Sequence, residues 1–153
     1  MELNPKIKTA LIKMNFVERY EQLSRKFDVK KTPNDKRLIY IDGEEVMDII
    51  QKLGYLPKFE AREKFYKIRE EKVEEYTLGV HIILYGGMVD LVWVVRENDT
   101  LILGIPWGSY SRLLISLDYK IKKPVFGTYE DLDEIFKTAF EMYEDFKNAL
   151  IKE

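Results

Sequence analysis

The chain reads as a single α+β domain over residues 1–153. An antiparallel meander of about four to five strands is expected to pack with an N-terminal helix, a short middle helix and a long C-terminal helix. Three observations carry this. Apolar residues recur at helical steps at both ends of the chain. They alternate at period two through residues 76–107, around turn residues. The order of elements is helix, strand, helix, meander, helix, rather than the regular β-α alternation of a parallel sheet.

The first helix is marked by Asn4 before Pro5, a capping side chain followed by the residue that loses nothing at the first helical position. Ile12, Phe16, Tyr20, Leu23 and Phe27 then fall on one face, so the helix is predicted over 5–27. Lys30 to Asp35 breaks the pattern, and the apolar run Leu38-Ile39-Tyr40-Ile41 predicts a short strand. Asp42-Gly43 ends that run. Glu44 and Glu45 favour a helix start, Val46, Ile49, Ile50 and Leu53 make its stripe, and Gly54 suits its end, giving a helix over 43–53.

Residues 58–72 are dense in charge and show neither period clearly. An irregular or helical start leading into a strand is expected there. Beyond it, Tyr76, Leu78, Val80, Ile82 and Leu84 alternate with mostly different neighbours up to Gly86-Gly87, which permits a two-residue hairpin turn. That turn sets Leu84 against Val89, Ile82 against Leu91, Val80 against Trp93 and Leu78 against Val95. A slip of one residue would destroy this all-apolar match. Asn98-Asp99 makes a second turn that sets Val95 against Ile102, Val94 against Leu103, Val92 against Ile105 and Asp90 against Trp107.

A further strand is expected from the alternation of Leu113, Ile115, Leu117, Tyr119 and Ile121, ending before Lys123-Pro124. Thr128, followed by Glu130, Asp131, Asp133 and Glu134, opens the last helix, predicted over 129–151. Leu132, Ile135, Ala139, Met142, Phe146 and Leu150 form its buried stripe.

Composition excludes several kinds of chemistry. The chain has no cysteine and one histidine, which removes thiolate chemistry, iron–sulfur clusters and histidine-rich metal sites. It has no apolar run of the roughly eighteen residues a membrane helix needs, and its N-terminus does not resemble a signal peptide. A cytoplasmic protein is therefore expected, without membrane association, metal or cofactor. The formal net charge of −2 conceals ten basic and five acidic residues in 1–38, against three basic and eight acidic in 128–153. Mutual attraction of the two terminal helices accounts for that asymmetry more simply than a charged partner.

The predicted registers leave the sheet with two apolar faces. One carries His81, Asp90 and Trp107, with Asp90 diagonal to His81 and opposite Trp107. A histidine oriented by a carboxylate is the geometry of a general base, with Ser109 or Ser111 imaginable as nucleophile, so a small-molecule or hydrolytic pocket around these three is the competing reading. No G-x-S-x-G elbow supports it. Asp131 to Glu134 and Glu44-Glu45 are better read as helix-start carboxylates than as cation ligands. The basic cluster Lys30, Lys31, Lys36 and Arg37 lacks any companion nucleic-acid signature. Trp107, Tyr110 and Arg112 are of the types that anchor interfaces, and with His81 and Asp90 they are the candidate partner- or ligand-binding residues. No catalytic residue is assigned.

In layout, the Tyr76–Trp107 meander with its YGGMVDLVWVV segment and the FGTYEDLDEIFKTAFEMYEDFK helix resemble the small immunity proteins of bacterial toxin systems. The likeness covers about half the chain and contains no diagnostic motif. It implies a non-enzymatic protein that binds and blocks a toxin through acidic or aromatic surface. A monomer, or a homodimer joined through the second apolar face, is expected.

Overall fold

Asn4 opens the first helix, α1 (Pro5–Lys13), its Oδ1 accepting from the backbone N–H groups of Lys6 and Ile7 at 2.9 and 3.4 Å. The computed structural model describes residues 1–152, and it breaks the expected 5–27 helix in two. Asn15 takes the left-handed conformation (φ 57°, ψ 46°), and α2 (Phe16–Lys26) sets off from there. Asparagine tolerates that region better than most residues. The sequence hid the break because Ile12 and Phe16 keep a step of four across it. The two halves bury separate faces, Ile7, Ala10 and Leu11 from α1 and Phe16, Tyr20 and Leu23 from α2, while Ile12 is left 58% exposed.

The predicted strand at 38–41 does not form. Leu38 donates to Phe126 O (3.0 Å), but Ile39 and Tyr40 stay exposed. A short apolar run becomes a strand only beside a free edge, and the nearby edge is already taken. Val89 N–H donates to Pro124 O and Phe126 N–H to Gly87 O, at 3.0 and 2.8 Å. The middle helix forms as expected: α3 (Gly43–Lys52) is capped by Asp42, and Gly54 follows it at φ 97°.

Residues 58–72 hold no helix. They contribute β1 (Pro57–Glu60), β2 (Phe65–Ile68) and β3 (Glu71–Val73), all antiparallel to their neighbours. Pro57 pairs with Ile68 and Phe59 with Tyr66 on the core side, while Lys58 faces Lys67 on the other. Charge on the outward positions masked the period of two.

The central hairpin of β4 (Tyr76–Tyr85) and β5 (Met88–Glu97) adopts the predicted register, with Leu78, Val80, Ile82 and Leu84 opposite Val95, Trp93, Leu91 and Val89. Both turn glycines have positive φ. The next turn also forms, with Asn98 and Asp99 both at positive φ, and β6 (Thr100–Leu103) begins as expected. A bulge between Val95 and Arg96 then shifts the register by one residue. Val95 therefore faces Leu103 rather than Ile102, and Val92 bridges to Pro106 rather than Ile105.

After the shift the chain enters α4 (Trp107–Leu114), where a strand end and loop were expected, and the strand predicted over 113–121 does not form. Trp107, Tyr110, Ser111 and Leu114 fall at helical steps and form its inner side, whereas Ile115 and Leu117 are exposed beyond its end. The last helix, α5 (Tyr129–Ile151), forms as expected, with Thr128 Oγ1 accepting from Asp131 N–H at 3.0 Å.

The sheet order is β1-β2-β4-β5-β6, with β3 pairing beside β2 on the same edge of β4. Buried residues of all five helices merge with Leu78, Val80, Ile82, Leu91, Trp93 and Val95 into one core. The result is two layers, helices over one face of an antiparallel sheet. The basic and acidic ends of the chain meet across α2 and α5, where Arg19 pairs with Asp145 (2.8 Å) and Lys26 with Glu134 (3.3 Å). Such exposed pairs contribute about 0–1 kcal/mol each.

Candidate functional site

Alternation along β4 sends Val80 and Ile82 into the core, so Thr77, Gly79, His81 and Ile83 must point the other way. Asp90, Val92, Val94 and Arg96 of β5 share that second face through their pairing with β4. Among the described residues no helix contributes to it: the buried helical residues gather with the opposite face.

Within this face, residues of β1, β2, β4 and β5 and the adjoining turns enclose an open groove of about 890 Å³. Thr77, Gly79, His81 and Val94 form its floor, Lys58, Phe65, Lys67 and Arg69 one side, and Glu70, Arg96 and Asp99 the rest of its rim. Arg96 pairs with Glu70 at 3.0 Å, and Lys67 with Glu60 at 2.9 Å. A Cβ on Gly79 would lie 3.4 Å from Glu70 Cγ, an ordinary van der Waals contact, which places the Glu70 side chain directly over the strand.

His81 is half-buried here beside its register partner Lys67, its ring 4.4 Å from that of Phe65. Burial, followed by the Lys67 cation, lowers its pKa below 6.5. The unfolded chain then takes up the proton first. Stability is full above about pH 6.5 and declines as pH falls toward the folded-state value. Because His81 is the only histidine, one imidazole resonance reports this directly. Its midpoint is expected below 6.5, and His81→Gln is expected to flatten the dependence of the unfolding midpoint just below pH 6.5. An unshifted resonance would contradict the burial.

Asp90 shares the face but not the groove. Its Oδ1 accepts from Leu91 N–H (2.9 Å), and its Oδ2 faces Lys123 Nζ at 3.6 Å. Among the described residues no hydrogen bond joins it to His81. Trp107 lies on the opposite side of the sheet and is 1% exposed, with the rings of Phe16, Tyr20 and Trp93 at 5.2, 5.1 and 5.2 Å. The expected placement of Trp107 across from Asp90 fails because the bulge precedes it. Tyr110 is fully buried in the same aromatic cluster, and Arg112 is exposed on α4. Ser111 is buried with its Oγ donating to Gly108 O (2.9 Å), and Ser109 is half-buried on the same helix. The structure thus gathers His81 with Phe65, Lys67, Glu70 and Arg96, and not with Trp107, Tyr110 or Arg112.

Sequence reasoning missed Lys58, Phe65, Lys67, Arg69 and Glu70 as groove residues. The available signal was the alternation of Phe65-Tyr66-Lys67-Ile68, four residues that read as a strand once the surrounding charges are set aside. A second polar cluster adjoins them. Tyr143 Oη donates to Glu71 Oε1 (2.9 Å), Tyr55 Oη donates to Glu144 Oε2 (2.6 Å), and Lys147 Nζ bonds both carboxylates at 3.0 and 2.8 Å. It ties β3 and the turn after α3 to α5. Among the described residues no three acidic or histidine side chains converge as metal ligands would, and no helix is long and apolar enough to cross a membrane.

No family model, curated protein or solved structure matches the chain.

Proposed function

We propose that the chain is a non-catalytic protein-binding domain that holds its partner on the uncovered face of the sheet, and that the partner is a toxin it neutralises. The observation that supports this is the one-sided packing. Five helices cover one face, and the other presents a groove in which the half-buried Phe65 and the buried Val94 sit among charged side chains. Apolar centres with polar rims are typical of protein interfaces. The competing hydrolytic reading needed His81, Asp90 and Trp107 in one pocket, and these three are on two sides of the sheet.

The experiment expresses the product of the gene adjacent to this one and scores growth arrest. This chain is expected to relieve the arrest. Thr77→Arg and His81→Glu, both on the open face, are expected to abolish relief, whereas Glu134→Lys on the outer side of α5 is expected to leave it intact. Relief that survives both open-face substitutions would move the interface elsewhere, and an adjacent product that arrests nothing would remove the toxin assignment.

A further inference from the structure

We propose that the groove on the open face takes an extended acidic segment of the protein partner. This rests on the protein-binding reading above and adds the chemistry of what is bound. The chain carries a net charge of −2, yet the groove lining holds four cations, Lys58, Lys67, Arg69 and Arg96, against two carboxylates, Glu70 and Asp99. Local charge and overall charge thus have opposite signs.

Two of those cations have unused capacity. Arg69 makes no ion pair among the described residues, and Lys58 is held only loosely, in an ion pair with Glu60 whose 3.8 Å separation is too long for a hydrogen bond. Glu60 is instead engaged by Lys67 at 2.9 Å. Arg69 therefore offers its donors to a visiting carboxylate without displacing an existing partner, and Lys58 has only its long contact with Glu60 to give up. Arginine is suited to that task, since its planar fork matches a carboxylate with two parallel bonds.

The spacing fits an extended chain. Lys67 and Arg69 are two residues apart on one face of the chain, and an extended partner presents every second side chain to the same side at the same repeat of about 7 Å. Leu56, 58% exposed, and Val94 supply apolar contacts between the charges. A nucleic acid fits less well. The Phe65 ring, the obvious stacking platform for a base, is already covered by His81.

The test is an NMR titration of the ¹⁵N-labelled full chain with three probes: an alternating Glu–Val peptide, the matching Lys–Val peptide, and oligothymidylate. The Glu–Val peptide is expected to shift the amides of Thr77, Gly79 and Val94, with affinity falling as salt is raised. Arg69→Glu combined with Lys58→Glu is expected to weaken it by about tenfold or more. Both side chains are exposed, and Arg69→Gln with Lys58→Gln, expected to show a smaller loss, serves as a second variant whose spectrum reports the intact fold. Preference for the Lys–Val peptide at the same amides overturns the acidic assignment while leaving the open face as a binding surface. Tighter binding of oligothymidylate there overturns it in favour of nucleic acid. Binding of the acidic peptide that ignores the charge reversals overturns it as well. Silence of the groove amides to all three probes overturns both this inference and the reading on which it rests.

Discussion

Trp107→Ala is expected to lower the free energy of unfolding by about 3–5 kcal/mol, the range for deleting a large buried aromatic side chain. A tryptophan in a surface patch would cost within about 0.5 kcal/mol on the same substitution. The large value follows from its position between Phe16, Tyr20 and Trp93, where the loss opens a cavity reaching α2, α4 and β5 together. Trp107→Phe gives the necessary comparison. Trp107 Nε1 has no hydrogen-bond partner among the described residues, so phenylalanine keeps much of the packing and removes an unmet donor. Urea denaturation followed by circular dichroism is expected to show a far smaller loss for Phe than for Ala. A loss below about 1 kcal/mol for Ala would mean that the residue is not in the core.

Tyr110→Phe is expected to cost about 1–3 kcal/mol, although it deletes a single oxygen. β6 has ended by the point where β5 reaches Trp93, and the Tyr110 hydroxyl takes the missing strand's place. It accepts from Trp93 N–H at 3.1 Å and lies 3.5 Å from Trp93 O. Burial holds the hydroxyl protonated far above the ordinary tyrosine range, so the arrangement does not titrate under any ordinary condition. Removing the oxygen leaves a buried backbone N–H without a partner. Hydrogen exchange makes the measurement specific: the Trp93 amide is expected to lose protection in Tyr110→Phe beyond the global change. Equal protection in both proteins would show that the hydroxyl contributes nothing there.

These two residues also show where the sequence was legible. The β4–β5 hairpin and α5 were read correctly because each has a strong period and a definite turn or cap: Gly86-Gly87 for the hairpin, Thr128 for the helix. The α4 segment was read as a strand end and loop because Trp107, Tyr110 and Ser111 belong to a stripe barely two turns long, and a strand was expected after it because the alternation from Leu113 to Ile121 is longer by chance. A one-residue bulge at Val95/Arg96 has no signature in the residues around it, yet it decides on which side of the sheet Trp107 lies. The groove was half legible. His81 and its face followed from the hairpin register, but the cationic side came from β1 and β2, whose charged outward residues concealed their period. Interface-type residues named from composition, Trp107 and Tyr110, proved to be packing residues, because the same rings serve both purposes.

The outermost strands of the sheet carry a consequence for how any partner must be recognised. Both β1 and β6 are four residues long, and β1 starts with Pro57, which has no N–H to offer a neighbouring chain. Little backbone is therefore free for annealing another strand, either from a partner or from a second copy of the molecule. Discrimination then falls to side chains standing on the sheet rather than to the generic main-chain ladder at its margins. Such a surface can change its preferred partner through exchanges at positions 58, 67, 69 and 96 while the ladder beneath stays as it is, and it does so without becoming a template for its own polymerisation.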